Sequence, residues 1–240
     1  MSPGQHEDNG PNGSVRTNRT DQSQLARRYD RLLDDRYSSR WSLDNAGNRE
    51  SLAERLRVMQ RLIHQSLANR PLRVLDLGCG GLTLLPPDLN VDFIVGVDLL
   101  FDRLRSLRER GDATPTVNAD GAFLPFPNGA FDAVVMSTML SSVLDEPARL
   151  AICSEVSRIL NVGGAVLWYD FRVRSIGNSA TRPIRRSGLR RYFSDLSGSV
   201  VSLTVLPPLA RRLGRAHRAY AVLARAPFLR THLAACLVKP

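Results

Sequence analysis

The sequence is nearly without lysine: Lys239 is the single one, although the formal net charge is +10. It has three cysteines, which are too few and too scattered for a disulfide framework or a zinc site. No apolar run is long enough to span a bilayer, and the N-terminus has no apolar signal core. These absences exclude the disulfide-rich secreted and zinc-finger classes and lead us to expect a cytoplasmic protein without a transmembrane segment.

Acidic residues are scarce in the last third of the chain. After Asp170 the only acid is Asp195, whereas arginines recur to the C-terminus. This basic region is compatible with an anionic substrate, an acidic membrane surface or nucleic acid. A solvated arginine-rich face that binds nothing is an equally good explanation.

The N-terminal region divides into two parts by composition. Residues 1–21 have almost no apolar side chains, so we expect a disordered tail. Over 22–37 and 48–69 apolar residues recur at helical spacing, which predicts two helices. The second should end before Pro71.

The stretch Arg73–Gly81 is the one around which the remaining chain is arranged. It predicts a short buried strand that ends near Asp76 and continues into a glycine-rich turn, where backbone can approach a ligand closely. The spacing Gly78-x-Gly80-Gly81 differs from the G-x-G-x-x-G fingerprint of dinucleotide-binding proteins. Taken alone, the pattern is also that of an ordinary strand-to-helix turn.

Further apolar strands follow this turn, and several of them end in an acid. Residues 93–98 end in Asp98, about twenty residues beyond the glycines, as a ribose-binding carboxylate should. The other predicted strands are 116–121, 131–137, 160–169, 200–206 and 232–238. Helices are predicted at 101–110, 147–160 and 209–229, the last of them basic and partly apolar.

In this order the motifs resemble those of the class I S-adenosylmethionine-dependent methyltransferases over about residues 70 to 170. The resemblance implies an α/β, Rossmann-like seven-stranded sheet with helices on both faces and a closing antiparallel hairpin. The methyltransferase domain would span 71–240 and residues 22–70 would form an N-terminal helical lid. An arginine-rich insert, about 172–195, would be a mobile loop over the active site.

The resemblance also implies a binding site for S-adenosyl-L-methionine. Asp76-Leu77-Gly78-Cys79-Gly80 would bind the methionine end, and Asp98 would hold the ribose hydroxyls. The third family glycine is absent, because Leu82 follows Gly81. The complete predicted set is Tyr29, Asp76, Gly78, Cys79, Gly80, Asp98, Leu99, Asp120, Gly121, Ser137 and Thr138.

Methyl transfer should take place beyond Ser137, at the carboxyl end of the fourth strand. A base is needed only for a hydroxyl acceptor. Asp170 is the first candidate and Tyr169 the second, with His64 and His217 further from the motifs; Asp170 paired with an insert arginine is an equally good explanation. The predicted acceptor-binding residues are Ser142, Arg172, Arg174 and His217. No metal-ligand spacing stands out, so we expect metal-independent transfer.

The acceptor is the least determined feature. The sequence after the fourth strand, Ser137-Thr138-Met139-Leu140, lacks the motif of nucleic-acid amino methyltransferases, and no cysteine follows a proline, so nucleic acid is disfavoured. The C-terminal third resembles bacterial methyltransferases found with glycosyltransferases, which favours O-methylation of a sugar or glycosylated secondary metabolite, including phosphorylated or lipid-linked ones. Two alternatives are a non-catalytic S-adenosylmethionine-binding protein and a membrane-surface protein that uses 209–229 as an interfacial helix. The oligomeric state is open, a homodimer included.

Overall fold

The computed structural model describes residues 42–67, 69–80, 85–87, 89–174 and 181–240. The predicted tail, the helix over 22–37 and Tyr29 lie outside these ranges. In the described part a seven-stranded sheet has the order β3-β2-β1-β4-β5-β7-β6. The strands are β1 Leu72–Leu77, β2 Val91–Asp98, β3 Thr116–Asn118, β4 Phe131–Ser137, β5 Leu160–Phe171, β6 Ser197–Val205 and β7 Arg230–Val238.

The directions of the strands determine which strand ends lie at the same edge of the sheet. Strands β1 to β5 are mutually parallel, whereas β7 runs antiparallel to both β5 and β6. The carboxyl ends of six strands therefore meet at one edge, together with the amino end of β7. The predicted sheet and its closing hairpin are confirmed.

Helices cover both faces of the sheet. Helix α1, Ala46–Ser66, begins at Asn45, whose side chain accepts hydrogen bonds from the N–H groups of Gly47 and Asn48. It buries Met59, Leu62 and Ile63 in a cluster that includes residues of β1, β4, β5, β6 and β7. Helix α2, Phe101–Glu109, follows β2, and helix α3, Glu146–Ile159, packs on the opposite face among Trp168 and its neighbours.

The arginine-rich insert is not a loop throughout, and that prediction was wrong for its second half. Residues 186–192 form helix α4, Arg186–Tyr192, with Leu189 and Tyr192 buried in the α3-side core. The carboxylate of Glu146 on α3 binds Arg191 and lies 3.8 Å from Arg182. Two insert arginines are thus used for packing against α3, because their apolar neighbours carry the segment onto the core.

The predicted single helix over 209–229 was also wrong. The chain forms α5, Pro207–Arg212, then a 3₁₀ turn over Gly214–Ala219, then α6, Tyr220–Leu223, and a second 3₁₀ turn at Pro227–Leu229. Gly214 has a left-handed φ of +48°, and Ala226 before Pro227 is extended. These breaks leave no continuous amphipathic helix of the kind the membrane-surface alternative requires. No helix among the described residues is long and apolar enough to cross a bilayer.

Asp132 fastens the amino edge of the sheet. Its side chain is 2% exposed and accepts hydrogen bonds from Arg70 Nη2 at 2.8 Å and from Arg73 N and Nε, both at 3.0 Å. Burial alone would raise the pKa of Asp132, but the hydrogen bonds from Arg73 and Arg70 hold this pKa well below its usual value. The ion pair therefore joins β1 to β4 in its charged form.

We expect Asp132→Asn to lower the free energy of unfolding by about 2 kcal/mol near neutral pH, since both arginines are half exposed and solvent weakens the pair. A depressed carboxyl pKa gives stability that is present above the unfolded pKa and lost as pH falls. The stability difference between wild type and variant should therefore begin to narrow as the pH falls below about 4 and keep narrowing towards lower pH. Urea unfolding near neutral pH and in acid measures it. Asp102→Asn, at an exposed pair with Arg105, is the control and should change stability by less than about 0.5 kcal/mol.

Candidate active site

The strand order places the predicted cofactor residues side by side along the carboxyl edge. From β3 towards β5 the edge carries Asp120, Asp98, the turn after Leu77, Ser137 and Asp170. Asp120 lies in the loop after β3, which ends at Asn118 rather than at the acid. Adjacent strands lie about 4.8 Å apart, so these groups span the length of an extended small molecule.

The glycine turn after β1 has backbone that other residues adopt only with strain. Gly78 and Gly80 have left-handed φ angles of +73° and +49°. The N–H groups of Gly78 and Cys79 donate to Val97 O at 2.7 and 3.1 Å, which holds the turn against β2. A Cβ on Gly78 would lie 2.3 Å from Cγ of Met139, so the turn and the segment after β4 are in direct contact.

Asp98 ends β2 and links the turn to α2. Its carboxylate is 6% exposed and accepts from Gly80 N and Leu100 N, both at 2.9 Å. A carboxylate has about four acceptor positions, so two remain for hydroxyl donors as far as the described residues show. The Asn118 side chain donates to the Asp98 and Leu99 carbonyls at 2.9 Å, which fixes the loop next to Asp98.

The remaining residues predicted to bind the cofactor lie in the same region. Asp76 is fully buried in β1, and Asp120 is half buried with Oδ1 accepting from Ala122 N at 2.9 Å. Gly121 contacts the α3 side chain of Ile152 at the position of its missing Cβ. Burial raises the pKa of the Cys79 thiol to about 12, and the charges of Asp76 and Asp98 add to this effect. Cys79 is therefore a neutral thiol in the wall of the turn.

The segment after β4 has strained backbone. Thr138 has φ of +52°, a left-handed conformation that costs a non-glycine residue about 1–2 kcal/mol. Its N–H donates to Tyr169 O at 2.7 Å, and its carbonyl accepts from Ser142 Oγ at 3.3 Å. Backbone strain of this kind is concentrated at ligand sites.

Asp170 lies under that segment and is fully buried. Its Oδ2 accepts from Ser141 N and its Oδ1 from Phe171 N, both at 2.8 Å. Burial raises the pKa of Asp170 to about 6, although these hydrogen bonds lower it. Arg149, also buried, donates to the carbonyls of Val143 and Arg182 at 2.6 and 2.9 Å. The predicted pairing of Asp170 with an insert arginine is absent from its described contacts.

We expect Asp170→Asn to change the pH dependence of stability. The carboxyl pKa is higher in the folded protein than the ordinary 3.8, so this group adds stability at low pH that is lost as pH rises through about 6. Wild type should gain stability relative to the variant as the pH falls from about 7 to 4, by on the order of 2 kcal/mol. Thermal unfolding of both proteins across this range measures the difference. A gap that does not change with pH would contradict the expectation.

Tyr169 is part of a ring stack that sequence reasoning did not find. Its ring stacks on His232 with centroids 4.8 Å apart, its hydroxyl is 2.9 Å from Thr204 Oγ1, and Arg55 lies over it at 5.2 Å. Burial raises the pKa of Tyr169 to about 12, although the hydrogen bond with Thr204 lowers it. Burial and the positive charge of Arg55 lower the pKa of His232 to about 3. Both side chains are therefore neutral near pH 7.

A cavity of about 270 Å³ opens above this stack. It is lined by Leu43, Asn48, Ser51, Leu52, Arg55, Tyr169 and Thr204. A larger cavity, of about 430 Å³, lies at the opposite edge of the sheet. Its lining includes Leu72, the first residue of β1, and Asn90, which directly precedes β2. His64 lines that second cavity, so the structure separates it from the candidate active site.

The predicted acceptor-binding residues are not all brought together. Ser142 is in the segment after β4, whereas Arg172 donates to Pro227 O at 3.1 Å. Arg174 is exposed, and His217 is half buried in the 3₁₀ turn that packs against α1. None of these four lines the 270 Å³ cavity. Their roles, like those of Tyr29, Tyr169 and Asp170, stay predictions.

Comparison with known proteins gives the same class. Residues 75–168 match a family model described as a methyltransferase domain, Methyltransf_11. The chain is 36% identical over 123 residues to a malonyl-[acyl-carrier protein] O-methyltransferase of Legionella pneumophila, covering 47% of this chain and 40% of that protein. It is 29% identical over 170 residues to a demethylmenaquinone methyltransferase of Streptomyces avermitilis, covering 70% and 66%. The chain thus spans less than two thirds of these relatives' own length.

Solved structures show the fold. The geranyl diphosphate C-methyltransferase of Streptomyces coelicolor, solved with S-adenosyl-L-homocysteine, has a TM-score of 0.57 at 17% identity, with 77% of each chain covered. The [4+2]-cyclase SpnF has a TM-score of 0.54 at 19% identity, covering 77% of this chain and 80% of its own. Sequence identities this low show a shared fold and nothing about function.

Fold and domain match together confirm the resemblance found in the sequence. Residues 75–168 thus match a methyltransferase domain, and the described chain has the fold of solved S-adenosylmethionine-dependent methyltransferases. S-adenosyl-L-methionine is the cofactor of the enzymes of that class.

Proposed function

We propose that this chain transfers a methyl group from S-adenosylmethionine to a small-molecule acceptor. One observation carries the proposal: the N–H of Gly80 donates to the Asp98 carboxylate at 2.9 Å, which joins the glycine turn to the ribose-type acid of the next strand. The turn requires glycine at Gly78 and Gly80, because both have left-handed φ angles and because Met139 and Arg103 occupy the space that a Cβ would need. Among the described residues, Asp98 keeps acceptor positions for two hydroxyls.

The residues present fit the cofactor. We assign the methionine end to Asp76, Gly78, Cys79 and Gly80, and the ribose to Asp98 with Leu99 beside it. Asp120 and Gly121 address the adenine, and Ser137 and Thr138 adjoin the methyl-transfer point. The predicted lid residue Tyr29 lies outside the described residues, so its role stays a prediction. Bound S-adenosylmethionine supplies an activated sulfonium methyl group.

The protein's own task is then alignment and exclusion of water. The strained Thr138 and the hydrogen bonds from Ser141 and Ser142 fix the segment that faces the acceptor. Tyr169 and Asp170 stay our candidates for a base toward a hydroxyl acceptor. The carboxylate of Asp170 is buried, and each of its two oxygens already accepts a hydrogen bond from a backbone N–H group. This arrangement favours a role in positioning the segment after β4.

For the acceptor we propose a hydroxyl of a sugar or glycosylated metabolite. The polar residues Asn48, Ser51 and Thr204 around the 270 Å³ cavity suit a hydroxyl-rich molecule. The related proteins are named for methylation of a malonyl group, demethylmenaquinone and geranyl diphosphate, which are acceptors other than nucleic acid. Transfer without a metal ion is part of the proposal.

A methyl-transfer assay tests the function. Purified protein is incubated with S-adenosylmethionine labelled in the methyl group and with sugar phosphates, aryl glycosides and hydroxybenzoates, and S-adenosylhomocysteine release is measured alongside. We expect release that depends on one acceptor class and labelled product of that class. Tight S-adenosylhomocysteine binding with no transfer to any acceptor would favour the non-catalytic alternative.

A further inference from the structure

Among the described residues, the guanidinium of Arg55 has no carboxylate partner. It projects from α1, lies within 3.5 Å of Ser137 Oγ and covers the Tyr169 ring. Within the described ranges no carboxylate oxygen approaches it to 4 Å, whereas Arg73 and Arg158 each bind a carboxylate. Arginine is the residue best suited to partly buried ion pairs, so as far as the described residues show, this guanidinium is available to an anionic ligand.

Neighbouring groups neither neutralise nor compete with this charge. The adjacent acid, Glu54, is directed to β6, where its Oε2 accepts from Thr204 N at 2.9 Å and Tyr220 Oη at 2.7 Å. His232 behind the Tyr169 ring is neutral near pH 7. Of the described residues that line the 270 Å³ cavity, Arg55 alone is charged.

The cavity lies next to the point of methyl transfer. Tyr169 in its floor pairs with Ser137, the last residue of β4, and β4 is the neighbour of β1. Two strand spacings, about 10 Å, separate β5 from the glycine turn. A second, much smaller cavity of about 20 Å³ is also lined by Arg55 and Tyr169, and Ser137 at the end of β4 is part of its wall.

We propose that Arg55 anchors a carboxylate or phosphate group of the methyl acceptor. The inference rests on the proposed function and narrows its substrate class to anionic molecules. The planar guanidinium binds either oxyanion through paired hydrogen bonds. The apolar side of the acceptor packs on Leu43, Leu52 and the Tyr169 ring, and its reacting atom extends toward Ser137.

Calorimetry with matched probe pairs tests the proposal. Glucose 1-phosphate is compared with methyl glucoside, and 4-hydroxybenzoate with 4-hydroxybenzamide, each with and without saturating S-adenosylhomocysteine. The variants are Arg55→Gln, Arg55→Lys and, as control, Arg57→Gln, an exposed arginine on the same helix. Thermal unfolding confirms that each variant is folded.

We expect wild type and Arg57→Gln to bind the anionic member of at least one pair ten-fold or more tightly than its neutral partner. Arg55→Gln should abolish this preference, and Arg55→Lys should keep part of it. The pair that shows the preference distinguishes phosphate from carboxylate. Equal binding of charged and neutral probes by wild type, or an unchanged preference in Arg55→Gln, would overturn the inference.

The same samples separate this inference from the proposed function. If folded wild type binds no S-adenosylhomocysteine, the methyltransferase proposal fails, and the titrations without it still decide the role of Arg55. If S-adenosylhomocysteine binds and the anionic probes show no preference, only the anionic acceptor is wrong.

Discussion

Asp98→Ala is expected to weaken S-adenosylhomocysteine binding by about 100-fold or more. Hydrogen bonds to a charged group contribute about 1.5–3 kcal/mol each, and the variant removes two of them to the ribose. It also leaves Gly80 N and Leu100 N without their acceptor, so the glycine turn itself loses support. Isothermal calorimetry below the unfolding temperature of the variant measures the affinity.

Asp92→Ala is the matched control, since this acid is exposed on the same strand. It should bind S-adenosylhomocysteine as wild type does. If Asp98→Ala, folded by circular dichroism, bound within three-fold of wild type, Asp98 would not be the ribose ligand.

The second large effect is expected from Gly78→Ala. The new methyl group would lie 2.3 Å from Cγ and 2.8 Å from Cβ of Met139, so the backbone after β4 must shift. The residue also has φ of +73°, which costs alanine about 1–2 kcal/mol. We expect a loss of about 3 kcal/mol or more in unfolding free energy and at least ten-fold weaker cofactor binding.

Gly111→Ala separates the effect of the contact with Met139 from the effect of the left-handed backbone. Gly111 has φ of +78°, but a Cβ there meets nothing within 4 Å. This variant should lose only the backbone cost of about 1–2 kcal/mol and keep full cofactor affinity. The double variant Gly78→Ala with Met139→Ala should recover part of both losses. Equal effects of Gly78→Ala and Gly111→Ala would show that contact between the glycine turn and Met139 is unimportant.

The sheet and the glycine turn after β1 could be predicted because their signals are local. Acids at strand ends and glycines at a turn reflect the conformation of their own backbone, and strand order then places them at one edge. Apolar periodicity predicted a helix at 48–69, close to the observed 46–66, and the family resemblance implied the final hairpin. These elements needed no knowledge of distant contacts.

Two elements were predicted wrongly, the single helix over 209–229 and the loop in the second half of the insert. The residues that indicate the correct structure lie among many arginines. Gly214 and Pro227 interrupt the predicted helix over 209–229, and both are visible in the sequence. Leu189 and Tyr192 are three residues apart, as on one face of a helix, within the arginines of the insert. The arginines of the insert predicted a solvent-exposed loop, whereas the burial of its apolar side chains stabilises a helix packed on the core.

The surroundings of the acceptor region could not be predicted from the sequence. The burial of Asp170 depends on Ser141, which is 29 residues away along the chain, and the role of Glu54 depends on Tyr220, 166 residues away. Arg55 resembles every other arginine of α1 until β5 is placed beneath it. Such contacts form only in the tertiary fold, so local patterns of residues in the sequence do not predict them.

The most direct test of the central claim is calorimetric titration of the folded wild-type protein with S-adenosylhomocysteine. The carboxyl edge from Asp120 to Ser137 should bind one molecule per chain with micromolar affinity. Saturation should raise the melting temperature, because a ligand that binds only the native state stabilises it. A folded protein that shows neither binding heat nor a change in melting temperature would contradict the claim that this edge is a cofactor site.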